Sequence, residues 1–237
     1  MSLFLTLLVF LIAGVVPELT GFGVATVAMS LLPFMLPFEI VLPLVSLISV
    51  VTTGTIMIQS RSKSTIWRLI PLVTGSFIGV SIGMYFLNII EVKVMTKLFG
   101  GFLILYSIYG LLVKPNSKHF KKKLAIFIGF LAGFFSAAFN IHGPLVGMYE
   151  SSDNAMSKKE LKNTIVSYMF ITGIFTSTGH YMAGRVTQEV LYYTVLALPF
   201  LFLGLYIGTR IFKKANTKII KHLVYLLTMV SGVFLIL

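Results

Sequence analysis

Residues 124–157 read LAIFIGFLAGFFSAAFNIHGPLVGMYESSDNAMS. The stretch is long enough to cross a bilayer and more, since about 20 apolar residues suffice. It is interrupted halfway by Phe139-Asn140-Ile141-His142-Gly143-Pro144. A second stretch of this kind, Leu3 to Phe38, is interrupted by Pro17-Glu18-Leu19-Thr20-Gly21-Phe22-Gly23. In lipid an unsatisfied backbone group costs several kcal/mol, so a break at membrane depth survives only where protein or a wet cavity covers it. Both breaks are therefore expected to face the protein interior.

The rest of the chain agrees with a membrane setting. Of its 237 residues, 57% are hydrophobic and 11% charged, against roughly a quarter charged in soluble proteins; the mean hydropathy is +0.97. Six further segments read as crossings: Ile40–Ser60, Leu69–Ile90, Leu98–Val113, Asn163–Gly184, Val190–Thr209 and His222–Leu237. Leu98–Val113 and His222–Leu237 reach full length once flanking lysines snorkel. Met1 to Val16 lacks a basic leader, so no cleaved signal peptide is expected. The absence of cysteine excludes disulfides, thiolate metal sites and cysteine nucleophiles. The net charge of +12 lies in short clusters between apolar runs, the positive-inside pattern and not that of a nucleic-acid binder.

The two halves resemble each other. Gly14 corresponds to Gly133 at an offset of 119, and Glu39, Val45 and Ser46 to Glu160, Val166 and Ser167 at 121. Gly79, Ile82 and Gly83 correspond to Gly204, Ile207 and Gly208 at 125. The chain accordingly reads as one all-α membrane domain, 1–237, with repeat one at 1–113, a basic linker at 114–123 and repeat two at 124–237. Internal repeats of this kind mark secondary transporters.

Charge bears on how the broken segments run. If all eight segments cross, the basic residues divide 9 to 10 between the faces and specify no orientation. If each broken segment is a re-entrant hairpin, 16 lie on one face and only Lys93, Lys97 and Arg185 on the other. The second division satisfies the positive-inside rule. Each repeat is then a broken hairpin followed by three crossings, the repeats are inverted, the basic loops are cytoplasmic and both termini lie outside. Eight full spans with little charge bias is the other arrangement.

A returning half-helix that starts inside the membrane presents free N–H groups and a partial positive charge, which suits an anion. Proline at a first helical position is favourable, and Asn140 or His142 is a candidate cap. Two inverted halves would bring two such starts together near the midplane. The candidate substrate-binding residues are Thr20, Gly21, Phe22, Gly23, Asn140, His142, Gly143 and Pro144, with hydroxyls from Ser46, Ser167, Tyr149 and Thr164. Glu18 and His142, ionisable groups within the breaks, are candidates for proton coupling. By contrast, Gly75, Gly79 and Gly83, with Gly204 and Gly208, read as close-packing positions. Glu150, Asp153, His180 and Arg185 lie nearer segment ends and read as solvated.

Thr20-Gly21-Phe22-Gly23 with Leu32-Pro33, and Gly133 followed by Asn140-Ile141-His142-Gly143-Pro144 and Ser157-Lys158-Lys159-Glu160, resemble the two signature regions of the sulfite exporter TauE/SafE family. The resemblance covers nearly the whole chain. It implies a polytopic inner-membrane permease moving small anions such as sulfite or organosulfonates, mostly outward. The chain departs from the pattern at Pro17-Glu18, where small residues are more usual, and in its shortened second glycine run.

No HExxH, GxSxG or Walker pattern occurs, so no catalytic residue, metal or cofactor is expected and the chain does not read as an enzyme. The expected partners are a small anion and the lipid bilayer, with no nucleic acid. A carrier for a lipid-linked phosphate, a channel and, more distantly, an intramembrane enzyme are the rival readings. Oligomeric state is open.

Overall fold

The structure is a computed structural model that describes residues 2–20, 23–60, 66–112, 124–150, 156–212 and 217–237. Ten α-helices are described: α1 (Ser2–Thr20), α2 (Gly23–Leu31), α3 (Phe38–Ser60), α4 (Ile66–Ile89), α5 (Val92–Leu112), α6 (Leu124–Phe139), α7 (Gly143–Glu150), α8 (Lys158–Met182), α9 (Gln188–Phe212) and α10 (Thr217–Ile236). A 3-10 turn, Leu32–Phe34, follows α2, and no strand occurs among the described residues.

Among the described residues, four helices contain a stretch long and apolar enough to cross a membrane: Phe38–Gln59, Trp67–Ile89, Val92–Leu112 and Gln188–Arg210. Shorter apolar helices cover Leu3–Val15, Gly23–Phe34, Leu124–Phe139 and His222–Ile236. Helix α8 has 25 residues, or about 37 Å at 1.5 Å per residue, but it carries too many polar residues to join the four. Among them Thr164, Tyr168, Thr172, Thr176 and His180 are turned inward, as described below. Apolar side chains lie outward instead, including Phe77 and Ile82 on α4, Leu105 on α5 and Phe202 on α9. Trp67, 81% exposed at the start of α4, has the amphipathic ring that favours a membrane interface.

The chain divides into two compact units that interleave along the sequence: 1–45, 90–114 and 185–237 form one, and 46–89 with 115–184 form the other. In the first, α1 packs along α9 and α5 along α10. Glycines set the spacing. A Cβ at Gly14 would meet the Leu201 carbonyl oxygen at 2.6 Å, one at Gly204 that of Leu11 at 2.2 Å, and one at Gly208 that of Val15 at 2.7 Å. Between α5 and α10, Gly100 and Gly232 each face the other's carbonyl, and the Ser107 and Thr228 hydroxyls bond at 2.7 Å.

In the second unit α4 packs along α6, with α8 against both. A Cβ at Gly133 would meet the Ser76 oxygen at 2.3 Å; at Gly79, that of Phe130 at 2.0 Å; at Gly83, that of Phe134 at 3.0 Å. With little hydrophobic drive between helices in lipid, such backbone approach supplies van der Waals contact instead. The packing role expected for Gly75, Gly79, Gly83, Gly204 and Gly208 is the one these contacts give.

The two broken stretches differ from expectation in one respect. The second interruption falls between α6 and α7, as the sequence indicates. The first is shorter than expected: α1 continues through Pro17 and Glu18 to Thr20, and α2 starts at Gly23 with φ +78°. Only Gly21 and Phe22 separate the two helices. A positive φ is adopted far more readily by glycine than by most residues, which suits Gly23 to the start of α2. Helices α2 and α7, with 9 and 8 residues, are about 12 to 14 Å long and neither spans a bilayer.

Candidate functional site

The second break is built from α6, a three-residue turn and α7. Helix α6 ends because Asn140 takes φ 56°, the left-handed conformation that asparagine tolerates better than most residues. Its N–H still donates to the Ser136 carbonyl at 2.9 Å. His142 then precedes α7, and its carbonyl accepts the Val146 N–H at 3.5 Å. The N–H groups of Gly143 and Leu145 belong to the first turn, where a helix provides no acceptor, and Pro144 has none to offer. This short helix start therefore has two amide donors without an acceptor inside α7.

Asn140, Ile141, His142 and Gly143 are all buried. His142 is 4% exposed, and neither ring nitrogen has a hydrogen-bond partner among the described residues. It does not cap α7, contrary to one of the roles open to it from sequence. Its ring instead packs edge-on to that of Tyr168, centroids 5.9 Å apart. The Tyr168 hydroxyl is engaged with Ser76 Oγ, which reaches the carbonyls of Leu72 at 2.8 Å and Gly129 at 3.0 Å. Tyr168 is thus anchored and holds the imidazole in place without bonding to it. A neutral imidazole offers one donor and one acceptor, and among the described residues neither is used.

Around this break α8 turns a polar stripe inward. Thr164, Tyr168, Thr172, Thr176 and His180 recur every four residues and all are buried, a spacing that puts them on one helix face. Thr176 Oγ1 lies 2.8 Å from Ser136 Oγ on α6. The stripe explains how α8 can be polar in sequence and still sit in a membrane protein. Sequence reasoning noted Thr164 and His180 singly and missed Tyr168, Thr172 and Thr176; their four-residue period was the available signal.

Two residues expected to be solvated are not. His180 and Glu150 are both fully buried, because His180 lies on the inward face of α8 and Glu150 closes α7 against α4. There the Arg68 Nε donates to Glu150 Oε2 at 3.2 Å. Arg68 is 37% exposed and Glu150 not at all, so the pair ties the end of α7 to the start of α4.

The other expected site residues are distributed as follows. Ser46 is buried with its Oγ 2.5 Å from that of Ser177, and so serves a contact between α3 and α8. Ser167 is buried on α8, and Tyr149 is half-buried on α7 beside the apolar cluster of Leu69, Leu72 and Val146. Gly21 and Phe22 lie outside the described residues, as do the side chains of Glu18, Thr20 and Pro144. Ser157 and Glu160 of the second signature form a capping box at the start of α8: Ser157 N–H donates to Glu160 Oε2 at 2.8 Å and Glu160 N–H to Ser157 Oγ at 3.2 Å. The Ser157 hydroxyl first, and its N–H second, hold the Glu160 carboxyl below its ordinary value. No group of three or more metal-ligating side chains occurs among the described residues.

An apolar exterior, helices of spanning length and a buried polar break define a multi-pass helical membrane protein of the transporter type. The family model for the sulfite exporter TauE/SafE matches residues 6–235, and the chain belongs to that family. It is accordingly a membrane transporter of a family that handles sulfur anions. No curated protein and no solved structure matches it.

Proposed function

We propose that this protein exports a small monosulfur anion, sulfite or an organosulfonate, with the break at Asn140–Pro144 as the recognition element. The observation that carries the proposal is His142, buried at the start of α7 with both ring nitrogens unbonded. An anion is a suitable acceptor for the imidazole N–H and for the first-turn N–H groups of Gly143 and Leu145. Gly23, at the start of α2, is the proposed counterpart in the first half.

We further read the chain as two inverted repeats. Supporting this, the glycine contacts of the two units correspond pair by pair. Gly14 facing Leu201 matches Gly133 facing Ser76; Gly204 facing Leu11 matches Gly79 facing Phe130; Gly208 facing Val15 matches Gly83 facing Phe134. In each pair one partner is displaced by 119 and the other by 125 residues, the offsets found between the halves. In this reading the first helix of each repeat packs on the fourth of the other. The 16-to-3 charge division supports cytoplasmic basic loops with both termini outside.

With the cell interior negative, release of a monovalent anion gains roughly 2.3 kcal/mol per 100 mV, so export can run as a uniport. Proton coupling through Glu18 or His142 is an addition to that scheme. Proteoliposomes loaded with sulfite test the function: efflux above that of empty vesicles is expected, accelerated by an inside-negative potential and reduced at least about tenfold by His142→Ala or Gly143→Val. Efflux equal to that of empty vesicles across sulfite and sulfonates would reject the permease.

A further inference from the structure

We propose that Tyr168 is a positioning residue for anion recognition: its ring keeps the His142 imidazole from capping α7, so that imidazole and helix start act on the anion and not on each other. The proposal rests on the anion-permease reading above and names what holds that site open. It is local to the second break and does not depend on what the start of α2 at Gly23 contributes.

His142 stands directly before Gly143, the first residue of α7, and so occupies the N-cap position. A side chain there ordinarily accepts from the N–H of the second or third helical residue. The second is Pro144, which has no N–H, so the Leu145 N–H is the one donor a capping imidazole could take. The buried ring bonds neither to Leu145 nor to any other described residue. It meets Tyr168 instead, with 5.9 Å between centroids and 63° between planes, an edge-on pairing that aromatic rings favour. Tyr168 is fully buried and cannot yield, because its hydroxyl is bonded to Ser76 Oγ. The Ser76 hydroxyl directs its single proton at the carbonyls of Leu72 on α4, at 2.8 Å, and Gly129 on α6, at 3.0 Å. Tyr168 is therefore the donor to Ser76 Oγ, and the support runs from the seam of α4 and α6 through Tyr168 to the imidazole.

Tyr168 and Ser76 each lie ten residues beyond the first residue of their helix, about 15 Å at 1.5 Å per residue. That is half of a hydrocarbon core roughly 30 Å thick, the depth suited to a site that opens to each side in turn. A smaller, non-aromatic side chain at 168 removes the wall beside His142. The imidazole can then turn and accept from the Leu145 N–H, and an anion must break that bond to enter.

The test measures efflux of sulfite and methanesulfonate from liposomes containing the full-length protein. Tyr168→Leu is expected to raise the half-saturating concentration about three- to tenfold, the range of one aromatic pair, with maximal flux per folded protein little changed. Tyr168→Phe keeps the ring and is expected to stay close to wild type. A packing defect alone would reduce the amount of active protein and leave half-saturation where it was. In a His142→Ala background Tyr168→Leu should add no further rise, since its effect passes through the imidazole. Without anion, deuterium exchange at the Leu145 amide should slow in Tyr168→Leu as the imidazole caps it, whereas general loosening would speed it. His142→Asn installs a strong N-cap residue without touching Tyr168 and tests the same competition if Tyr168→Leu does not fold. Leu145 exchange slower than in His142→Ala, with half-saturation no lower, is expected; a lower half-saturation would overturn the proposal. Unchanged half-saturation in Tyr168→Leu, an equal rise with and without His142, or faster Leu145 exchange would overturn the positioning role and leave the permease standing. A wild-type protein that moves neither ion would overturn the permease reading and this proposal with it.

Discussion

Replacing Gly79 by alanine adds one carbon where the structure has no space for it. The new Cβ would lie 2.0 Å from the Phe130 carbonyl oxygen and 2.8 Å from the Phe134 nitrogen. Ordinary contact begins near 3.4 Å, so α4 and α6 must separate by more than 1 Å along their seam. Both obstructing atoms are backbone, and neither can rotate away. Overpacking of this kind costs about 1–3 kcal/mol, and separation would also loosen the facing contacts of Gly75, Gly83, Gly129 and Gly133. A loss of about 3 kcal/mol is expected, less up to about 1 kcal/mol returned by the better helix propensity of alanine. Gly101 on α5 is the control, since a Cβ there meets nothing within 4 Å; Gly101→Ala should be neutral or slightly stabilising. Gly204→Ala, facing the Leu11 oxygen at 2.2 Å, should match Gly79→Ala. Unfolding of the purified variants by SDS in mild detergent, followed by circular dichroism, measures all three. Equal stability for Gly79→Ala and Gly101→Ala would refute the reasoning, and a large effect at Gly79 with none at Gly204 would count against matched interfaces.

Two other predictions concern charge. Arg68→Ala should destabilise more than Glu150→Gln, because the first leaves a fully buried carboxylate without its cation while the second leaves a guanidinium that already reaches solvent; with Arg68 part-exposed, about 1–3 kcal/mol is expected for the first, and the reverse order in the same unfolding assay would contradict the assignment. The Glu160 carboxyl is held below its ordinary value by Ser157, so its contribution is complete above the unfolded-state pKa and disappears as pH falls through the lower folded value. Amide exchange in the first turn of α8 should therefore accelerate in acid beyond its intrinsic rate, and Ser157→Ala should remove that acid-specific change; an unaltered profile in the variant would show that the box does not hold the turn.

The sequence made the second break legible because Asn140, Gly143 and Pro144 each act locally: a left-handed residue, a flexible one and a helix-starting one within five positions. The first break was set too early because Pro17 reads as a breaker, whereas α1 continues past it to Thr20. The packing role of Gly79 and Gly204 was visible in the four-residue spacing of small residues. Burial of Glu150 was not, since its partner Arg68 lies 82 positions away and only tertiary structure brings them together. The roles of His142 could not be separated from sequence either. Whether that ring caps a helix or stays unbonded depends on Tyr168 and Ser76, held in place by α8 and α4.

Recognition at this break requires that His142 and the first turn of α7 receive the anion directly. Nitrogen-15 NMR of histidine- and glycine-labelled protein, titrated with methanesulfonate, tests that contact at the atoms concerned. Saturable shifts of the His142 ring nitrogens and the Gly143 amide, at concentrations that saturate transport, are predicted. Transport that saturates while both signals stay fixed would place the anion elsewhere and contradict the account.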